Sequence, residues 1–280
     1  MDEVIKLNKI KGEMNMETAR SIVNILDLSV EELDDLMDLA DDIDANPTKY
    51  QDRCNHKKLG TLFYEPSTRT RLSFEAAMIE LGGNVIGFSS AKASSAAKGE
   101  SVADTIRTVC NYVDIIAMRH PKEGAPVVAG MNTTVPFINA GDGGHFHPTQ
   151  TLADLLTIRR TMNRLDHLTL GVCGDLKFGR TVHSLIDAML RYPDNEYILI
   201  SPKELRIPEY MRTKLVEAGV KFKETESLDE AIPSLDVLYM TRVQKERFFN
   251  EEDYVRLKDT YVLTPEKLET AKEPDHGKYI

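Results

Sequence analysis

The sequence predicts an α/β protein of two domains, each a parallel sheet flanked by helices. Three observations carry this. Short, strand-like apolar runs alternate with helix-patterned stretches, the order that builds parallel sheets. The alternation starts afresh near Gln150. The length of 280 residues exceeds the usual size of one hydrophobic core. With 41% hydrophobic and 29% charged residues there is enough apolar surface to bury, which excludes disorder of the whole chain.

In chain order, a first helix is expected over Asp27 to Asp44. Ser29 and Glu32 form a capping-box-like start, and Leu33, Leu36, Met37, Leu39 and Ala40 give one apolar face. Asn46-Pro47 stops it, since the residue before a proline is pushed out of helical backbone. A short strand follows over Lys58 to Tyr64, then a turn at Glu65-Pro66 and a helix from Ser67 or Thr68 through Leu81, ended by Gly82-Gly83. Strands at Val85 to Phe88, Ile115 to Met118 and Val135 to Asn139 alternate with helical stretches at Ser101 to Tyr112 and Gly124 to Gly130. Leu152 to Asn163 is a helix by pattern. Strands at Leu168 to Cys173, Glu196 to Ser201, Val220 to Lys223 and Val237 to Thr241 continue the rhythm. No repeat of solenoid length interrupts it.

Charge narrows the partners. Thirty-five basic against 45 acidic residues give a formal net charge of -10, the opposite of a nucleic-acid binder's footprint. Asp34, Asp35, Asp38, Asp41, Asp42 and Asp44 crowd the first helix, whereas several arginines sit inside apolar or Gly-rich motifs, where a charge needs a partner. Cys54, Cys110 and Cys173 are widely spaced, so neither a zinc site nor a disulfide framework is expected and a reducing cytoplasm fits. Residues 1–20 carry charges throughout, and no apolar stretch is long enough to span a bilayer; no membrane partner and no leader peptide are expected. Met14 and Met16 are alternative starts.

The arginine motifs point to an anionic substrate. Ser67-Thr68-Arg69-Thr70-Arg71 follows a strand and opens a helix, so hydroxyls, guanidinium groups and backbone N–H groups converge at the positive end of a helix dipole. A merely capped helix with solvated arginines is the plainer alternative. Arg119 lies at a strand's C-terminal end, where α/β sheets place ligands. His147 sits before a proline and close to Gln150, just past another strand. Lys98, Arg180 and Arg242 each follow a strand or a Gly-rich turn; together they suit a substrate with phosphate and carboxylates.

Six ordered strings carry a resemblance: Phe63-Tyr64-Glu65-Pro66-Ser67-Thr68-Arg69-Thr70-Arg71, Lys98-Gly99-Glu100, Met118-Arg119-His120-Pro121, His147-Pro148-Thr149-Gln150, Gly174-Asp175-Leu176-Lys177-Phe178-Gly179-Arg180-Thr181-Val182-His183-Ser184, and Tyr239-Met240-Thr241-Arg242-Val243-Gln244-Lys245-Glu246-Arg247. They resemble the catalytic chain of the aspartate carbamoyltransferase family, within the aspartate/ornithine carbamoyltransferase superfamily, from about Ile25 to about Lys272. The resemblance implies an N-terminal extension (1–20), a carbamoyl-phosphate-binding domain (21–149), an aspartate-binding domain (150–272) and an atypical terminus (273–280). Ser67, Thr68, Arg69 and Thr70 would hold the phosphate, with Arg119 bridging phosphate and carbonyl oxygen. His147, Thr70 and Arg119 would polarise the carbonyl, and Gln150 would meet the carbamoyl nitrogen. Arg180, Arg242 and Gln244 would bind the carboxylates of aspartate. Ser94 and Lys98 would reach a neighbouring subunit's site, which implies a homotrimer; regulatory chains are a further partner class, and neither cofactor nor metal is implied.

Ornithine carbamoyltransferases share the phosphate motif and the His-Pro-Gln element. Thr241-Arg242-Val243-Gln244 favours aspartate, because it offers a cation and an amide where an ornithine site needs groups for an ammonium. The family continues past the position of Lys272 into a His-Pro-Leu-Pro-Arg segment and a long helix, whereas Glu273 to Ile280 read as a truncated or frameshifted terminus with that C-terminal helix missing. The alternative of another class is therefore a catalytically impaired homologue that keeps the fold and the oligomer interface.

Overall fold

The computed structural model describes residues 20–242 and 260–272. Within them Asn46–Ala140, together with the stretch ending at Val23, form one compact unit, and Asn24–Ala45 with the residues from Gly141 onward form a second. After a two-residue strand, β1 (Ser21–Ile22), comes the first helix, α1 (Val30–Ala45). Its start is the expected capping box: Glu32 N–H donates to Ser29 Oγ (3.2 Å) and Ser29 N–H to Glu32 Oε2 (2.8 Å). Leu33 and Met37 are its buried pair.

The first unit holds a five-stranded sheet of β1, β2 (Lys58–Phe63), β3 (Asn84–Phe88), β4 (Ile115–His120) and β5 (Phe137–Asp142), in the order β1-β5-β4-β2-β3. The pairs β1/β5, β2/β3 and β2/β4 run parallel. Helices α2 (Thr68–Glu80), α3 (Val102–Val109) and α4 (Ala125–Asn132) make the crossovers. Leu62, Ile116, Met118 and Phe137 from the strands pack on Ile106, Ala125 and Ala129 from the helices, while Leu59, Ala117 and Met78 form a second cluster. The β2 burial pattern, exposed only at Lys58, is that of a strand covered on both faces.

In the second unit β6 (Thr169–Cys173), β7 (Glu196–Ile200), β8 (Phe222–Thr225) and β9 (Val237–Met240) form a parallel sheet ordered β8-β7-β6-β9. Its helices are α5 (Pro148–Met162), α6 (Arg180–Met189), α7 (Glu209–Glu217), α8 (Leu228–Ala231) and α9 (Pro265–Leu268). Every residue of α6 from Val182 to Met189 is buried. Its one buried acid there, Asp187, is met by Lys214 of α7 at 2.7 Å. The acid crowding of α1 has its explanation in this unit. Arg159 reaches Asp38 (2.7 Å) and Asp41 (2.5 Å), Arg160 reaches Asp41 (2.6 Å), and Tyr192 donates to Asp34 (3.2 Å).

Both strand orders reverse once. The chain leaves β2 for β3 on one side and returns to β4 on the other; likewise it leaves β6 for β7 and returns to β9. Open parallel sheets bind ligands at the carboxyl ends of the strands on either side of such a reversal. Among the described residues no helix is long and apolar enough to cross a membrane.

Candidate active site

In the first unit, the reversal brings the segment after β2 beside the end of β4: Phe63 is in register with Arg119, and Tyr64 N–H donates to Arg119 O at 2.9 Å. Ser67 occupies the N-cap of α2 in extended backbone (φ -156, ψ 90) with no side-chain cap bond. The side-chain cap of the plainer alternative is absent, and the first-turn N–H groups, which a helix cannot satisfy internally, can meet an outside acceptor. Thr68 and Arg69 are exposed, Ser67 and Thr70 half-buried. Arg71 departs from expectation. It is committed to Glu75 at 2.7 Å, and Glu75 also accepts from Thr61 of β2, so only Arg69 of the two guanidinium groups is left at the helix start.

Arg119 is held at two edges. Its Nε donates to Glu65 at 2.7 Å and its Nη1 to Ala140 O at 3.5 Å, with only 13% of the side chain exposed. A guanidinium fixed in this way presents its remaining N–H groups in one direction, as bidentate recognition of an oxyanion requires. Glu65, in the turn after β2, thus fixes the orientation of Arg119. Ser94 and Lys98 sit together on a short 3-10 segment: Ser94 caps it by accepting from Ala96 N–H, and Lys98 closes it before Gly99 at φ 92. Among the described residues neither bonds to Arg69 or Arg119.

In the second unit, Asp142, fully buried, accepts from Phe146 N–H at 2.8 Å and shapes the turn before α5. His147 is the N-cap of α5, 6% exposed, and its Nδ1 accepts from Gln150 N–H at 3.3 Å. An imidazole that accepts at Nδ1 carries its neutral-form proton on Nε2, so His147 is a donor there, suited to a carbonyl oxygen. One turn into α5, Gln150 Nε2 donates to Asp154 Oδ1 at 2.9 Å, and Tyr239 of β9 donates its hydroxyl to Asp154 Oδ2 at 3.1 Å. Burial pushes the Asp154 carboxyl above its ordinary range, against the lowering pull of those two bonds.

Arg180 and Arg242, the described residues expected to meet aspartate, flank the second reversal. Gly174, directly after β6, has φ 117, and a Cβ there would lie 2.2 Å from Thr241 O, so only glycine lets the two strand exits approach this closely. Thr241 N–H donates to Cys173 O at 2.8 Å, which sets Arg242 beside the loop running to Arg180. Arg180, half-buried at the first position of α6, donates to Gly143 O; Arg242 is exposed. The loop is pinned from below by His183, whose Nε2 donates to Leu176 O at 2.7 Å while Nδ1 accepts from Tyr210 at 3.0 Å. Burial lowers the His183 pKa, which keeps the ring neutral for this role. Gln244 lies outside the described residues.

Glu65, Asp154 and Tyr239 are among the polar residues of these clusters to which sequence reasoning gave no role. Each is a side chain that holds another, and only Asp154, one helical turn beyond the motif glutamine, carried a local signal; Glu65 meets Arg119 from 54 positions away and Tyr239 meets Asp154 from 85.

Comparison with known proteins gives concordant matches. Residues 20–160 match the model of the aspartate/ornithine carbamoyltransferase carbamoyl-P binding domain, and residues 166–276 that of the Asp/Orn binding domain. The aspartate carbamoyltransferase catalytic subunit of Lachnoclostridium phytofermentans is 63% identical over 255 residues, 91% of this chain and 83% of the relative. That of Clostridium acetobutylicum is 60% identical over 259 residues, 92% and 84%. The solved catalytic subunit of M. jannaschii aspartate transcarbamoylase is 46% identical with a TM-score of 0.82, covering 90% of this chain and 84% of that one. Aspartate transcarbamoylase from Trypanosoma cruzi, solved with carbamoyl phosphate and aspartate, is 35% identical with a TM-score of 0.84, covering 92% and 84%.

Proposed function

This chain belongs to the aspartate/ornithine carbamoyltransferase family, and from that premise we propose how it transfers a carbamoyl group from carbamoyl phosphate to L-aspartate. The products are N-carbamoyl-L-aspartate and phosphate, a step of pyrimidine biosynthesis. The observation that carries the reading is the uncapped helix start at Ser67–Thr70 beside an Arg119 locked by Glu65, at the reversal of the first sheet. Ser67, Thr68, Arg69 and Thr70 take the phosphate. Arg119 and Thr70, with His147 through Nε2, draw charge onto the carbamoyl oxygen, and Gln150 receives the carbamoyl amino group. By binding role the carbamoyl-phosphate domain is proposed to be residues 21–149 and the aspartate domain 150–272, although by packing Asn24–Ala45 and the residues from Gly141 belong to the second unit.

Aspartate enters with its carboxylates on Arg180, Arg242 and Gln244. Its neutral amine attacks the carbonyl carbon; a tetrahedral intermediate forms, its oxyanion is held by fixed donors, and it collapses with phosphate leaving and the amine proton lost. Fixed donors aimed at the developing oxyanion are commonly the largest single contribution, and positioning of two reactants supplies much of the rest. The working unit is a homotrimer in the cytoplasm, with Ser94 and Lys98 completing the neighbouring subunit's site.

Arg242→Ala and Gln244→Ala test the division of labour. Each is expected to raise the aspartate KM by about tenfold or more, the worth of a charge-assisted contact, while carbamoyl phosphate affinity by calorimetry stays within about twofold. Equal losses for both substrates would remove the two residues from the aspartate role.

A further inference from the structure

A carboxamide has two nearly identical ends, one that only accepts and one that only donates, and in a site the difference between them is the difference between attraction and repulsion. The carbamoyl amino group is a donor. Gln150 therefore helps only if Oε1 faces the substrate and Nε2 faces away. Nothing in the glutamine side chain favours that orientation over its flip. The chain supplies the missing preference four residues later on the same face of α5, where the Asp154 carboxylate accepts from Gln150 Nε2 at 2.9 Å. Both Asp154 oxygens are acceptors as placed, Oδ1 from Gln150 and Oδ2 from Tyr239, so the carboxyl meets the NH2 end of Gln150 and offers its oxygen end no hydrogen. Asp154 is itself seated, because Tyr239 on β9 donates to its other oxygen at 3.1 Å. Tyr239 pairs in register with Val172 of the central strand β6, which anchors the far end of the chain of bonds in the sheet.

We propose that Asp154 is a positioning residue for carbamoyl transfer: seated by Tyr239, it holds the Gln150 amide with its acceptor toward the amino group of carbamoyl phosphate. The assignment rests on the reading of Gln150 as the contact to that amino group. It accounts for a half-buried carboxylate beside the site that has no substrate atom of its own to meet. It also makes recognition of the amino group depend on a residue that the substrate does not touch.

Acetyl phosphate provides the test, since it keeps the phosphate and carbonyl of carbamoyl phosphate and carries a methyl in place of the amino group. Asp154→Asn keeps the shape but can offer Gln150 either a donor or an acceptor. It is expected to weaken carbamoyl phosphate binding about tenfold by calorimetry while acetyl phosphate binding stays within about twofold. Tyr239→Phe, which leaves the carboxylate in place but unseated, is expected to shift the same preference more weakly, and it serves if Asp154→Asn does not fold. Gln150→Leu is the reference and should show the same selective loss. If both ligands weaken equally in Asp154→Asn and Tyr239→Phe, or neither weakens, while Gln150→Leu is selective, the positioning role is wrong and the Gln150 reading stands. If Gln150→Leu is itself unselective, the Gln150 reading fails and the proposal falls with it.

Discussion

Arg69→Ala should reduce carbamoyl phosphate affinity by about a hundredfold or more and leave the fold intact. The loss follows from what Arg69 is placed to do: it is the guanidinium left at an uncapped helix start, and charge-assisted bonds to phosphate are each worth about 1.5–3 kcal/mol, more when water is excluded. The fold should not notice, because Arg69 is exposed and alanine is the better helix former. Calorimetry with carbamoyl phosphate and a thermal melt on the same sample separate the two effects. An affinity within a few-fold of the parent would remove Arg69 from the phosphate role. Arg71→Ala provides the contrast. Its ion pair with Glu75, which also ties Thr61, makes it a stability variant, so its melt should move more than its affinity.

The second large effect is a gain. Lys98→Ala and Arg119→Ala chains, each nearly inactive alone, should regain turnover when mixed as hybrid trimers. If Lys98 serves the neighbouring subunit's site, random mixing of equal parts places an intact Lys98 opposite an intact Arg119 at about a quarter of the sites, so about a quarter of parental activity is expected. The structure gives this a basis in where the side chains are bound: Arg119 is tied to Glu65 and Ala140 O of its own chain, whereas Lys98 is exposed at the end of a short segment that Ser94 caps. No recovery in proven hybrids would mean that each site is built from one chain.

Much of the architecture was legible because α/β chains write it in local pattern. The strands at Lys58, Ile115, Glu196 and Val237 begin where apolar periodicity places them, and the Ser29/Glu32 capping box is a contact between near neighbours. Shifts occur where hydrophobicity is a poor guide to hydrogen bonding. β5 runs over Phe137–Asp142 rather than over Val135 to Asn139, ending on Gly141 and Asp142, which no hydrophobic pattern marks. Helix α5 starts at Pro148 rather than Leu152, because the cap at His147 and a proline at the first position define its start before its apolar stripe begins. β8 is displaced to Phe222–Thr225 at the sheet edge, where pairing with one neighbour only weakens the signal.

The candidate site was legible where its residues fall in motifs at strand ends. Ser67 to Thr70, Arg119, His147 and Arg180 could be picked out from their positions in sequence alone. What held them could not. Glu65 on Arg119, Asp154 on Gln150 and Asp142 under the His147 turn are supporting contacts, set by register and helical phase rather than by composition. Arg71 shows the converse: its guanidinium was visible in the motif, but it is spent on Glu75 one turn on, which also accepts from Thr61 of the strand before the helix, so its structural duty emerged only from the fold.

The central claim is carbamoyl transfer to aspartate by this chain, and the most direct test is product analysis with purified protein. Given carbamoyl phosphate and an amino acid, it should release phosphate and form N-carbamoyl-L-aspartate in equal amounts with aspartate and form no carbamoyl product with ornithine. A well-folded trimer that releases no phosphate and forms no carbamoylaspartate, or one that carbamoylates ornithine instead, would contradict it.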